Sequence, residues 1–507
     1  MVIPDSIGWL VPGLPLIMVL ISLVAAALIF PMPEGRVRLR STINLTAAAL
    51  KVLLVVALVP VVVNEGLRPE FSMPFLPGIE LVLRVDPLAL FFAGLSSILW
   101  LLTTVYAIGY LKGSTHRSRF FGFFSLCVTA TVGISFSGNL ITFLVFYELL
   151  TLVTYPLLAH RGNPASLRAA RLYLRYTLTG GLAVLIGVVW LTMYAGPEDF
   201  AEGGADAVAQ LASDSPEVAV AIFVLLIGGL GVKAALFPLH GWLPQAMIAP
   251  APVSALLHAV AVVKAGVFGI VRVIDDVYGI EVAMELGLLT PLLVVASFTV
   301  LYGSYQALRQ TDLKRRLAYS TVSQVSYVVL GVTLFDVTGT TGGVVHLVHQ
   351  GLMKITLFFC AGLFAQVLGI HTVAQTRGVG RRMPWTTAAF TVGAFGMIGL
   401  PPTAGFVSKW QLGEGALESP HPWVLGVLLL SSLLNAAYFL PLVYRMWLDP
   451  LPRPEGEQSL GKPVHEPRML MLPALATGFF TLAVGVGASL PFAPLRVAEF
   501  IAEGVFG

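Results

Sequence analysis

Four lysines stand inside long apolar stretches of the sequence, where a charged side chain is not expected. They are Lys233, Lys264, Lys354 and Lys409. A charge at the centre of a lipid bilayer costs about 2.5–3.5 kcal/mol on insertion scales, so such residues are by default candidates for an ion or proton pathway. Chemistry that needs a buried amine is therefore the first hypothesis for this chain.

One acidic residue, Glu148 in LVFYELLTLVTYPLL, also lies deep inside an apolar stretch. A buried ion pair that only fixes helix packing is one interpretation of it. A single carboxylate cannot neutralise four ammonium groups, however. A desolvated lysine near like charges can exchange protons near neutral pH. We therefore favour a proton route over a packing role.

Four histidines accompany these lysines, and a packing role and a relay role are both open for each. They are His240, His258, His346 and His349. Because they cluster with lysines, we favour the relay. Their spacing matches no zinc motif, and the sequence has no glycine-rich phosphate loop. We expect no metal site, no cofactor and no nucleotide-driven step.

The composition places these residues in a membrane protein. Of the 507 residues, 57% are hydrophobic and 11% charged, and the mean hydropathy is +0.86. The apolar runs are about 20 residues long, which indicates spanning helices rather than barrel strands. No basic region precedes the first run, so we expect a spanning helix there and no cleaved signal. We expect the protein to interact with the lipid bilayer and not with nucleic acid.

The span length predicts an all-α protein with fourteen transmembrane helices. Helices 1 to 7 are predicted at 8–31, 41–64, 87–111, 119–136, 138–160, 166–194 and 217–240. Helices 8 to 14 are predicted at 253–274, 285–308, 316–335, 341–369, 385–412, 421–448 and 468–490.

The distribution of charge predicts the topology. Most of the 30 basic residues fall in the loops after helices 1, 3, 5, 9, 11 and 13. The loops on the other side are acidic, with Glu198, Asp199, Asp275 and Asp276 among their residues. By the positive-inside rule, both termini lie outside the cytoplasm. A fifth lysine, Lys51, is close enough to the cytoplasmic end of helix 2 to reach it by snorkelling.

Prolines predict breaks in two of the helices. Pro238 and Pro244 flank His240 in helix 7, and Pro401 and Pro402 precede Lys409 in helix 12. Broken helices at membrane depth line cavities, and transporters place them at equivalent positions of two repeats.

Helices 7 and 12 are five positions apart, which suggests that helices 4–8 are repeated as helices 9–13. Because five is odd, the second repeat starts on the opposite side of the membrane and has to be inverted. The predicted domains are 1–118 with helices 1–3, the repeats at 119–274 and 285–448, and 449–507 with a loop and helix 14.

Four stretches of the sequence have a familiar pattern. KAALFPLHGWLPQAMIAPAPVSALLHAVAVVKAG resembles the signature of the proton-translocating subunits shared by respiratory complex I, membrane-bound hydrogenases and Mrp-type sodium/proton antiporters. RVDPLALFF, TDLKRRLAYSTVSQVSYVVLG and HLVHQGLMKITLFFCAG agree with the same family. The resemblance covers roughly residues 80–450 and implies fourteen helices with both termini outside.

The resemblance also implies a role for each buried charge. Glu148 and Lys233 correspond to a pair on helices 5 and 7 near the cytoplasmic entry. Lys264, with the preceding histidine, and Lys354 correspond to a hydrated central axis, and Lys409 to the end of that axis on helix 12. A change in the Glu148–Lys233 distance would alter the proton affinity of Lys233 and move a proton onward.

Within the family, a chain that has both Lys354 and Lys409 and ends soon after helix 14 is most similar to the D-type protein of the Mrp antiporters. This implies a cell-membrane complex with Mrp partners of the A, B, C, E, F and G types, exchanging protons for Na⁺. Two alternatives stay open. One is a proton-pumping subunit of a redox complex, namely NADH-quinone oxidoreductase or a membrane-bound hydrogenase, and the other is a structural subunit beside a conducting neighbour.

Overall fold

The computed structural model of the chain describes residues 8–450 and 463–506, and it is a helical bundle. A helix lies at each of the fourteen predicted positions, so these helices are numbered 1 to 14 as in the sequence prediction. The α-helical segments of helices 1 to 7 are, in order, Leu14–Ile29, Val37–Val59, Pro87–Tyr110, Arg117–Ser135, Leu140–Leu158, Pro164–Ala195 and Pro216–Ala234. Helices 8 to 14 contain Ala251–Ala259 with Val262–Arg272, Leu289–Arg309, Leu313–Val332, Val337–Leu368, Pro384–Ile398 with Ala404–Glu418, Trp423–Trp447 and Arg468–Val486.

Twelve helices in the described part of the chain are long and apolar enough to cross a membrane. Helices 10 and 12 are outside that set. Helix 10 begins with Lys314, Arg315 and Arg316, which lower its hydropathy, and helix 12 is divided into two segments of 15 residues each. The predicted all-helical membrane fold is confirmed.

Both predicted helix breaks are present. Helix 7 ends at Ala234, and Ala235 has a left-handed backbone. Short helical turns follow from Leu239 to Ile248. Pro244 lies in the first turn of one of them, where backbone N–H groups have no intrahelical partner, so the N–H that proline lacks is not needed. Helix 12 is interrupted between its two segments at residues 399–403, where Pro401 and Pro402 lie.

A third break was not predicted. Helix 8 is interrupted at Val260 and Ala261, whose backbone dihedrals leave the helical range. Neither residue is a proline or glycine, so the local sequence contains no signal for the break. It separates His258 from Lys264.

Several elements of the described chain lie outside the predicted helices, among them a hairpin and two helices. Strands β1 (Glu70–Leu76) and β2 (Ile79–Arg84) form an antiparallel hairpin between helices 2 and 3. A short helix, Asp206–Asp214, precedes helix 7, and a helix at Pro494–Phe506 follows helix 14. Arg453 and Lys462, predicted in the loop after helix 13, lie outside the described residues.

Helix 11 is the centre of the bundle and packs against helices 3, 8, 10, 12 and 14. Small residues permit this, as is usual between membrane helices. A Cβ added at Gly331 of helix 10 would lie 2.6 Å from Gly343 Cα of helix 11. Helices 4 to 7 and helices 9 to 12 pack in the same sequential order, but the inverted repeat itself stays a prediction.

Candidate functional site: a buried lysine and histidine axis

Lys233 occupies the last turn of helix 7 before the break, and its side chain is fully buried. Its Nζ donates a hydrogen bond to the backbone carbonyl of Tyr147 on helix 5. The same atom lies 3.2 Å from the centre of the Tyr147 ring, a cation–π contact. Helix 5 therefore binds Lys233 through a neutral oxygen and an aromatic face.

No nitrogen–oxygen contact within 4.0 Å joins the two described residues Glu148 and Lys233, and the functional pairing that the resemblance implied stays a prediction. Successive helical residues do not face the same direction. Glu148 therefore turns toward helix 6 while Tyr147 faces Lys233. Its carboxylate lies where a side chain at Gly181 would be, and its Oε1 has no hydrogen-bond partner in the protein.

Lys264 links helix 8 to helix 11. Its fully buried Nζ donates to the carbonyl of Leu347 at 2.7 Å. Gly266 lies two residues further on and packs against helix 7, where an added Cβ would be 2.8 Å from the carbonyl carbon of Lys233. The backbone of the first lysine thus contacts the segment that holds the second.

Three site residues of helix 11 are fully buried and face different neighbours. His346 Nδ1 is hydrogen-bonded to Ser408 Oγ of helix 12 at 2.8 Å. Lys354 donates to the carbonyl of Leu317 on helix 10 at 3.1 Å and to the Ser320 hydroxyl. Neither ring nitrogen of His349 has a partner in the protein.

Lys409 lies in the second segment of helix 12 and binds the end of the first. Its Nζ donates to the carbonyls of Met397 and Ile398, both at 2.9 Å, and to Ser432 Oγ of helix 13 at 3.1 Å. The last carbonyls of a helix have no intrahelical partner and form the negative end of the helix dipole. The break thus creates the oxygen site that holds this lysine.

The other two predicted histidines have aromatic surroundings. His258 packs against Phe358 with tilted rings whose centres are 4.6 Å apart, and neither of its ring nitrogens has a protein partner. His240 lies in the break of helix 7, and its ring centre is 5.0 Å from that of Tyr302 and 5.7 Å from that of Phe237. Relay roles for both stay predictions.

Residues 137–435, which contain the whole axis, match the model of the family described as NADH:quinone oxidoreductase/Mrp antiporter, TM. The chain belongs to this family. The resemblance predicted from the sequence is confirmed, and the protein is a multi-pass membrane subunit of the proton-antiporter type.

Two relatives and one solved structure illustrate the range of the NADH:quinone oxidoreductase/Mrp antiporter family. The N subunit of NADH-quinone oxidoreductase from Desulforudis audaxviator is 37% identical over 427 residues, covering 81% of this chain and 82% of that protein. The probable K(+)/H(+) antiporter A/B subunit of Rhizobium meliloti is 30% identical over 473 residues, covering 89% of this chain but 46% of that protein. A chain in the structure of the Mrp complex from Dietzia sp. DQ12-45-1b is 25% identical with a TM-score of 0.84, covering 98% of this chain and all of that one.

A charged cluster of this family member was missed by the sequence analysis. Arg272, Asp275 and Asp276, predicted in or beside an outer loop, are buried because helix 8 continues as a π-helix over Val273–Tyr278. Arg272 binds Asp86 Oδ2 at 2.6 Å and Asp276 Oδ2 at 2.7 Å. The four-residue spacing of Arg272 and Asp276 was the available signal. Arg272, Asp276 and Asp86 line a cavity of about 810 Å³.

The prediction for Lys51 was wrong. Its side chain is fully buried rather than extended to the membrane surface. Nζ points sideways and donates to Ser22 Oγ of helix 1 at 2.7 Å. Helices 1, 3 and 4 surround this part of helix 2, so the ammonium has a polar partner without reaching water.

Proposed function

We propose that this chain moves protons along the buried lysine and histidine axis, as one subunit of a multisubunit antiporter that exchanges protons for Na⁺ or another monovalent cation. Protons enter near Glu148 and Lys233, pass Lys264 and the histidines of helix 11, and reach Lys354 and Lys409. The chain is a transport subunit and has no chemical step of its own.

The observation that supports this route is the nature of the lysine partners. Lys233, Lys264, Lys354 and Lys409 donate to backbone carbonyls, and two of them also to hydroxyls. A carboxylate would hold an ammonium in its charged form. A carbonyl or hydroxyl oxygen accepts a hydrogen bond from a neutral amine as well as from an ammonium, so each site tolerates both forms.

Glu148 supplies the control element. Its carboxylate lies beside Gly181 without a direct contact to Lys233, and Oε1 has no protein partner. Movement of this carboxylate toward Lys233 would favour the ammonium form, and its return would favour release of the proton to Lys264.

A cation–proton antiporter is favoured by the joint presence of Lys354 and Lys409 and by the match to a chain of the Mrp complex over its whole length. The expected partners are Mrp proteins of the A, B, C, E, F and G types in the cell membrane. A sodium ion without its water shell prefers oxygen ligands such as carboxylates. We therefore assign most of the cation route to these partners.

The second candidate is a proton-pumping subunit of a redox complex. The relative from Desulforudis audaxviator, which belongs to NADH-quinone oxidoreductase, favours it. The residue roles along the axis would be the same, and the energy source would differ.

One experiment separates the two candidates. Inverted vesicles that contain the intact complex are energised by respiration, and Na⁺-dependent proton movement is compared for wild type, Lys233→Ala and Lys112→Ala. Lys112 is exposed and serves as the matched control. Exchange in wild type and Lys112→Ala, with none in Lys233→Ala, supports the antiporter. Proton pumping that requires a reductant but not Na⁺ would assign the chain to a redox complex. Normal exchange in Lys233→Ala would contradict the proposed axis.

A further inference from the structure

Lys51 is a fifth buried lysine, and the axis does not include it. Besides its bond to Ser22, its Nζ lies 5.3 Å from the centre of the Trp100 ring on helix 3. Among the described residues it has no carboxylate within 4.0 Å. The helical segments of helices 1 and 3 contain no charged residue, and the only charged residues of helix 4 are Arg117 and Arg119 near its start.

A continuous set of buried polar groups leads from Lys51 to one end of the bundle, and we name it the helix 2 polar column. Its members are, in order, Lys51, Ser22, Thr129, Ser125, Asn44 and Arg40. Every member is at most 2% exposed.

The members are joined by hydrogen bonds across helices 1, 2 and 4. Ser22 Oγ and Thr129 Oγ1 are hydrogen-bonded at 2.8 Å, and Thr129 donates to the Ser125 carbonyl at 3.1 Å. Ser125 Oγ donates to Asn44 Oδ1 at 3.1 Å, and Asn44 Nδ2 donates to the Arg40 carbonyl at 3.0 Å. Two of these bonds end on the backbone carbonyls of Ser125 and Arg40 rather than on their side chains, so the column is a row of neighbouring buried polar groups.

At its outer end the column reaches a charged surface. Arg40 donates to Ser118 Oγ at 2.7 Å and to the Glu34 carbonyl at 3.3 Å. The exposed Glu34 carboxylate accepts hydrogen bonds from the backbone N–H groups of Arg117 and Ser118. This end of the bundle contains the basic loops after helices 1 and 3, which the positive-inside rule predicts to be cytoplasmic.

Helix 3, which places Trp100 beside Lys51, adds buried polar atoms that have no partner in the protein. They are Ser96 Oγ, Ser97 Oγ, Trp100 Nε1 and Thr104 Oγ1. Their residues are fully buried, and the spacing of 96, 100 and 104 places those three on one helix face. Buried groups of this kind are normally bonded to water. The surroundings of Lys51 thus suit a hydrated site.

A packing role alone does not account for Lys51. A charged side chain in the membrane interior is costly. A hydrogen bond between membrane helices contributes less than that cost. The bond to Ser22 therefore offsets only part of the cost, and an apolar residue would pack here with greater stability.

We propose that Lys51 is a second proton-binding site, reached from the predicted cytoplasmic face through the helix 2 polar column. The column shares no residue with the Glu148–Lys233 entry, so the chain has two entries for protons. Use of the second entry in transport rests on the proposed function, whereas proton binding at Lys51 and access through the column do not.

Access is tested by thiol labelling in the assembled complex. Ser125→Cys and Ala130→Cys are each made in a background with Cys127→Ala and Cys360→Ala, and are exposed to methanethiosulfonate ethylammonium from the basic-loop side. Both positions are fully buried, but only residue 125 belongs to the column. We expect Ser125→Cys to react about tenfold faster or more, as local hydration requires. Equal rates would refute the entry.

Proton binding is tested through the tryptophan that faces the ammonium. The emission of the complex is titrated with pH for wild type and Trp100→Phe, and their difference isolates the signal of Trp100. We expect this difference to show a titration step as the pH changes. The step should disappear in Lys51→Met, which has no titratable group, and in Lys51→Arg, since arginine keeps the charge and does not release a proton. A step that persists in both variants, or no step in wild type, would overturn the proposal.

The labelling and the titration do not depend on transport. A wild type that titrates at Trp100 but shows no Na⁺-dependent exchange would disprove the proposed function and leave this site standing. If Lys51→Met fails to assemble, Lys51→Arg alone decides the outcome.

Discussion

Lys264 Nζ donates to the carbonyl of Leu347, and this carbonyl lies on helix 11 between His346 and His349. The contact joins the second segment of the broken helix 8 to the most central helix of the bundle. Lys264 therefore occupies the position where a proton from helices 5 and 7 would meet the histidines of helix 11.

The first prediction concerns this contact. Lys264→Met keeps the length and apolar stem of the side chain but removes the titratable amine, and we expect exchange to fall to background. Lys264→Arg keeps a charge that does not exchange and should fail equally. The measurement is Na⁺-dependent proton movement in vesicles, normalised to the amount of assembled complex. Exchange of more than half the wild-type rate in either variant would show that the axis does not pass Lys264.

The second prediction concerns the carboxylate of Glu148. An added Cβ at Gly181 would overlap this carboxylate, so Gly181→Ala should displace it from helix 6 and uncouple its movement from Lys233. We expect a loss of exchange with an altered pH dependence and with normal assembly. Gly228→Ala is the matched control, because it is also a helical glycine and a Cβ there meets nothing within 4 Å. Equal exchange by the two variants would mean that the position of Glu148 is irrelevant.

The sequence predicted much of the site because burial of a charge is visible in an apolar run. The four lysines, Glu148 and the two proline breaks were identified in this way, and the lysines are buried or half-buried as expected. The partner of each lysine was not predictable. Nothing in the sequence favours the Leu347 carbonyl as the acceptor for Lys264, because backbone acceptors are present at every residue.

Two features were missed because they depend on tertiary packing. The break of helix 8 at Val260 and Ala261 has no proline or glycine that would indicate it in the sequence. Lys51 lies near enough to a helix end for snorkelling, but Ser22 of helix 1 offers a nearer partner. For Lys51, a side chain of another helix decides the outcome.

The third prediction concerns Arg272, which neutralises two acids in a buried cluster. Arg272→Met leaves Asp86 and Asp276 without their cation, and removing one partner of a buried pair costs about 3–5 kcal/mol. We expect a lower amount of assembled complex and a lower Tm. Arg272→Met combined with Asp276→Asn should recover part of the loss, since fewer uncompensated charges remain. A Tm equal to wild type in the single variant would show that the cluster does not stabilise the fold.

The fourth prediction concerns topology. Ala209 and Arg381 are exposed on short helices that connect spanning helices, and the positive-inside rule assigns these connections to opposite sides. Ala209→Cys should react with an impermeant thiol reagent added outside intact cells, and Arg381→Cys should react only in inverted vesicles. The reverse pattern would place both termini in the cytoplasm.

The fifth prediction uses two glycines to separate backbone strain from an effect on Lys409. Gly399 ends the first segment of helix 12 with φ +92, and a Cβ there would lie 2.7 Å from Cδ of Lys409. Gly369 ends helix 11 with φ +65, and a Cβ there meets nothing within 4 Å. An alanine at either position is held in the left-handed region at a cost of about 1–2 kcal/mol. We expect both variants to lower Tm, and only Gly399→Ala, which shifts Lys409 away from the Met397 and Ile398 carbonyls, to lose exchange. If Gly369→Ala lost exchange to the same degree, instability rather than the position of Lys409 would be the cause.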